Sequence, residues 1–166
     1  MLLKVLLLFA IIHFTSYAEG NWIVDNSYIY TNGDTVHGHK FGIIKGEGDR
    51  CNDHLLLLTW STHNSNLEKF EGQHTKILIL LDNHTTHTTV ELITTYNFSG
   101  VLTLAIFGNI AISEELLDII GESKKLTLTF PDSNEISTAL DIKQDTFNIK
   151  GFTEALNQAT NLCTTN

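Results

Sequence analysis

The residues with the widest chemical reach in this chain are its histidines. Eight occur in 166 residues, and two pairs have suggestive spacing: His37-Gly38-His39 and His84-Thr85-Thr86-His87. On an extended strand side chains alternate between faces, so His37 and His39 are expected to present both imidazoles on one side, about 6 to 7 Å apart. Two ring nitrogens at that separation can reach one zinc or copper ion, with His84 or His87, beside Asp82, closing the site from a loop. Neither pair carries a signature with further ligands at defined spacing, and imidazoles in polar segments are more often solvated surface groups. A metal-binding exported protein is therefore the second reading, and the first assigns no cofactor.

Nucleophilic and acid–base chemistry has less support. There is no G-x-S-x-G elbow, and serine, histidine and aspartate occur without the arrangement that makes a triad. Glu114 and Glu115 are adjacent and read as first-turn helix acids, since neighbouring helical residues point in different directions. Gly42, Gly46 and Gly48 do not match a phosphate-binding loop. The expectation is that the protein is not an enzyme; a small secreted hydrolase of unrecognised type is a third reading. Among the aromatics, Trp60 is expected in the core, and Tyr28 and Tyr30 are candidates for a recognition surface.

The elements that must position these groups follow from composition and period. Residues 1–18 hold one cation (Lys4), a short apolar run over 5–12 and a small-x-small ending at Ser16-Tyr17-Ala18, the pattern of a cleaved export signal. The run is far shorter than the roughly 20 residues needed to span a bilayer. Residues 19–166 are then one secreted or periplasmic domain, of a size that supports an ordinary apolar core. The formal charge is −9, and one unit more negative once Lys4 leaves with the leader. Such a surface repels phosphate backbones and anionic headgroups, which disfavours nucleic acid and, after cleavage, membranes, and leaves another protein as the expected partner. The two cysteines, Cys51 and Cys163, are most simply one disulfide in an oxidising compartment. The sequons at Asn83 and Asn97 would be glycan acceptors only in a eukaryotic secreted protein.

Strands are predicted over residues 21–30, leading through the Asn32-Gly33 turn to 35–44, and then over 54–61, 75–81, 88–95, 101–107, 125–130 and 136–143, with turn-forming residues at Asp82-Asn83 and at 97–100 between the middle ones. The four consecutive leucines at 55–58 suggest a strand buried on both faces. Ser113 offers an N-cap to a short helix near 114–120. Phe152, Ala155, Leu156, Ala159 and Leu162 share one face of a C-terminal helix near 152–162, which a Cys51–Cys163 bond would pin to the loop before the leucine strand. The fold class is mostly β (α+β), an antiparallel β-sandwich-like domain.

Trp22, the region of Ser27, a strand containing Val36, a cysteine beside a leucine-rich strand, and the closing run Phe147-Asn148-Ile149-Lys150-Gly151-Phe152-Thr153-Glu154-Ala155 before Cys163 together resemble small exported bacterial proteins. The chain is similar to the periplasmic accessory proteins associated with type VI secretion and, more distantly, to the invasion-associated locus B proteins. The resemblance rests mainly on the last twenty residues. It implies a β-rich periplasmic domain with an accessory or binding role, secretion- or virulence-associated, and no catalytic residues.

Overall fold

The computed structural model describes residues 16–17, 21–25, 28–46 and 50–165. The expected leader over 1–18 lies outside the described residues apart from Ser16–Tyr17, as does Ser27. Thirteen named elements run in order: β1 (Ser16–Tyr17), β2 (Ile23–Asp25), β3 (Tyr28–Asn32), β4 (Lys40–Lys45), β5 (His54–Thr62), β6 (His74–Leu81), β7 (His84–Phe98), β8 (Leu102–Ala111), α1 (Glu114–Glu122), β9 (Lys125–Thr129), α2 (Glu135–Thr138), β10 (Gln144–Asn148) and α3 (Phe152–Thr165), with a short 3-10 helix at Ser65–Phe70 between β5 and β6.

The ten strands form one sheet in the order β1-β2-β3-β4-β5-β8-β7-β6-β9-β10, and all its pairs are antiparallel. Ten strands of twisted sheet curl. The curl brings Gly33, just past β3, into a bridge with Phe147 of β10, and Trp22 Nε1 donates to the Ile149 carbonyl at 3.3 Å across the same seam. The inward faces meet in a single apolar core in which Trp22, Trp60, Phe41, Phe107, Phe130 and Phe147 are all buried, joined by Leu117 and Ile120 of α1 and Phe152, Ala155 and Ala159 of α3. The mostly β, α+β architecture expected from the period changes is the one observed.

Both long helices form where capping and periodicity place them. Ser113 accepts from the Leu116 amide and caps α1, and the predicted face of α3 buries Phe152, Ala155 and Ala159 fully and Leu156 and Leu162 in part. Cys163, near the end of α3, is bonded to Cys51 in the loop before β5, with Cα atoms 5.9 Å apart.

Four local expectations are corrected. Residues 33–39 form a loop, and β4 starts only at Lys40, because Gly38 adopts φ 109° and breaks the extended course. The leucine strand is buried on both faces only in its second half: Leu55 and Leu57 are half-exposed, whereas Leu58 to Thr62 are all buried. Residues 136–143 hold the one-turn helix α2 and a loop, and β7 extends well beyond 88–95 at both ends.

Candidate functional site

Two places gather polar groups against apolar surroundings. The first is a clasp around Asp145. Its neighbours of the same parity on β10, Phe147 and Ile149, face the core, so Asp145 is directed inward and is 1% exposed. A buried carboxylate needs partners, and it has them: the amides of Thr35 at 2.9 Å, Val36 at 3.1 Å and Thr146 at 2.7 Å donate to it, as does His39 Nδ1 at 2.9 Å. Burial alone would raise the Asp145 pKa, but hydrogen bonds from Thr35, Thr146 and Val36 hold it below the ordinary carboxylate value. A Cβ at residue 33 would run into this carboxylate, so only glycine fits there.

His39 is fully buried, stacked on Trp60 with ring centroids 3.9 Å apart, and its Nε2 lies 3.3 Å from the Ser61 carbonyl. Burial depresses its pKa, opposed by the Ser61 carbonyl and by Asp145. Both ring nitrogens face oxygen acceptors, so the neutral ring can donate to only one of them and the protonated ring to both; burial tips the balance towards the neutral form. The expected placement of both imidazoles on one strand face is not found. His37 is exposed while His39 points into the core, since residues 36–39 turn about Gly38. His84 and His87 sit at exposed positions on β7, on the far side of the sheet order from β4. Among the described residues no three His, Cys, Asp or Glu side chains cluster as metal ligands would.

The second place is a cleft of ≈490 Å³ between α1 and the first half of β7. It exists because two sheet neighbours diverge. β7 pairs with β8 only from Glu91 to Phe98, whereas between His84 and Val90 it pairs with β6 alone. Phe41, Leu56, Ile79 and Leu126 floor the opening, Leu116, Ile119 and Ile120 of α1 wall it, and His84, His87 and Glu115 stand at its rim. The cleft is open and amphipathic, suited to an apolar group with a hydrogen-bonding backbone or edge.

Tyr28 and Tyr30 stack with centroids 5.1 Å apart on the side of β3 away from Ile29, and the Lys40 ammonium sits over Tyr30 at 4.1 Å. Tyr28 packs on Gly42, where a Cβ would strike its ring, and its hydroxyl is buried without a partner among the described residues. Burial, with Tyr30 beside it, pushes that phenol's pKa well up. Both rings are half-buried.

A further pair, of a buried lysine and a half-buried histidine, lies under the α1 N-terminus: Lys45 Nζ, 2.9 Å from His54 Nε2. Lys45 can only donate, so His54 accepts there and is neutral. Desolvation lowers both pKa values, and each charge also disfavours the other's cationic form, with Glu114 opposing.

The partners Asp145 and Lys45 escape a reading based on the histidines, yet each has a signal. Asp145 shares parity with Phe147 and Ile149, and Lys45 with Phe41 and Ile43, so in each strand an ionisable residue occupies an apolar face. The cleft has no such mark, since divergence of β7 from β8 is a property of pairing.

These shifts have a stability consequence. His39 and His54 both have folded-state pKa values depressed below the unfolded value of about 6.5, so their contribution is complete above that pH and is lost as pH falls from there through the folded pKa. The free energy of unfolding measured in urea is expected to fall steadily between about pH 7 and pH 5, with a limiting slope of about 1.4 kcal/mol per pH unit for the buried His39 and less for the half-buried His54. A profile flat over that interval would exclude neutral buried rings.

No protein-family model matches the sequence, and no curated protein matches it. Among solved structures, the crystal structure of invasion associated protein B from Bartonella henselae is similar, with a TM-score of 0.56 and 14% sequence identity over 89% of this chain and 98% of that one. The likeness is one of fold. Of the two resemblances read from the sequence, it bears on the invasion-associated proteins.

Proposed function

We propose that this chain is an exported, non-enzymatic binding or accessory protein, periplasmic or secreted and virulence-associated, that engages another protein through the cleft between α1 and β7. The observation that carries the binding role is that cleft: an apolar floor open to solvent beside a strand edge that has no neighbour among the described residues, within an otherwise continuous sheet. Support for the compartment comes from the leader pattern over 1–18 and from a single long-range crosslink, which suits an oxidising environment. The fold shared with an invasion-associated protein favours the virulence setting.

The test expresses the full chain with its leader in a bacterial host carrying a photo-reactive amino acid at Thr88, inside the cleft, or at Lys150, which is exposed elsewhere. The exported protein is expected to begin near Glu19 by mass. The purified Thr88 derivative, mixed with exported proteins of the source organism, should yield one discrete protein adduct that the Lys150 derivative does not give. Full-length cytosolic material, or equal adducts from both positions, would overturn the reading.

A further inference from the structure

The cleft is bounded by a strand edge, and the direction of its free groups can be worked out. Leu92 on β7 donates to the Gln73 carbonyl at 2.9 Å and accepts from the Gly72 amide at 2.8 Å, both on the β6 side of the strand. In an antiparallel ladder successive residues direct their amide and carbonyl groups to opposite sides. Even-numbered residues from His84 to Val90 therefore bond towards β6, while Thr85, His87 and Thr89 aim theirs the other way, as Glu91 does at its register position opposite Gly108. Beyond Glu91 no strand among the described residues meets that side. The edge runs for about 20 Å at the usual rise per residue.

We infer that the cleft accepts an extended segment of another polypeptide as an added strand, hydrogen-bonded to Thr85, His87 and Thr89 of β7. This rests on the binding role proposed above and specifies its partner. Residues of an added strand that lie opposite Thr86 and Thr88 face inward, over Leu56, Ile79 and Leu116, and must be apolar. Those opposite Thr85, His87 and Thr89 face outward and are polar. Glu115 is the carboxylate at the rim and the chain carries −9 overall, so the segment is neutral or basic at its flank, not acidic. Main-chain bonds supply the affinity and the alternate side chains the selectivity.

The probe is the synthetic peptide acetyl-Lys-Val-Thr-Val-Thr-Val-Thr-amide, titrated into the mature disulfide-bonded protein. Saturable binding is expected. Amide exchange should slow about tenfold at Thr85, His87 and Thr89 and stay unchanged at Thr86 and Thr88, whose amides already face β6. N-methylation of the peptide's threonines, whose amides face β7 in this register, should weaken binding at least about tenfold, equivalent to one lost hydrogen bond. Two protein variants carry the same expectation: Leu116→Arg, which fills the cleft from a half-buried helix position, and His87→Pro, which removes an edge donor not used by β6. Circular dichroism of each variant checks folding, and the exchange pattern of the unaltered protein decides if either fails.

Absence of saturable binding, equal binding of the N-methylated peptide, or protection lying elsewhere would overturn the inference. If Leu116→Arg abolishes the adduct formed at Thr88 while N-methylation is harmless, the strand mode falls and the cleft remains a binding site. If Leu116→Arg leaves that adduct intact, both fall. Slowed exchange at the three amides without peptide, growing with protein concentration, would assign the edge to a second copy of this chain and equally overturn the inference.

Discussion

Asp145→Ala is expected to lower the free energy of unfolding by about 3 to 5 kcal/mol, the range for removing one member of a buried charged network. The carboxylate is the common acceptor for three part-buried backbone amides and the buried His39 ring, so its loss leaves four donors without their acceptor, one of them fully enclosed. Three of those donors belong to residues 35–39, the loop joining β3 to β4. Losing the acceptor therefore releases that loop as well as weakening β10, and the stacked His39–Trp60 pair goes with it. Asp145→Asn keeps one acceptor oxygen but turns an amide donor towards other donors, and an intermediate loss is expected. Urea denaturation at pH 7 measures all three proteins, and near-equality of Asp145→Ala with the parent would show that the buried network contributes little.

The second large effect concerns the crosslink. Cys51 and Cys163 are 112 residues apart in sequence, and the chain-entropy treatment assigns a loop of that length about 4 to 5 kcal/mol. The bond holds the last turn of α3 to the segment entering β5, at an end of α3 with little buried surface. The larger contacts are at its beginning, through Phe152, Ala155 and Ala159. The double variant Cys51→Ala/Cys163→Ala should thus retain a docked first half of α3 and lose about 2 to 5 kcal/mol. The reduced parent protein should unfold at the same urea concentration as the variant. A variant within about 1 kcal/mol of the oxidised parent would show that the unfolded chain is already restricted without the bond.

What was legible beforehand depended on how local each signal is. Ser113 with Glu114 and Glu115 defines the start of α1 within four residues, and the spacing of Phe152, Ala155 and Ala159 defines a helix face, so both helices were readable. The turns at Asp82-Asn83 and at 97–100 announce the two hairpins of β6, β7 and β8 in the same way; Asp82, Ser99 and Gly100 adopt positive φ there. The His37–His39 pair misled because alternation holds only while the backbone stays extended, and Gly38 ends that. The clasp depends on Asp145, more than a hundred residues away, and no period within 33–39 encodes it. The cleft depends on where β8 parts from β7, which stays paired to β6 alone from His84 to Val90, and no local pattern in β7 encodes that.

The seam that closes the sheet also dictates the order of events along the chain. Trp22, Thr31, Gly33 and His39 find their partners at residues 145–149, so the amino-terminal third has no finished interior until nearly the whole polypeptide exists. Contacts this distant in sequence make for slow folding, on the scale of milliseconds to seconds rather than microseconds. A chain of this design can pair its middle strands early, but its sheet closes only when residues 145–149 are available to meet residues 22–39.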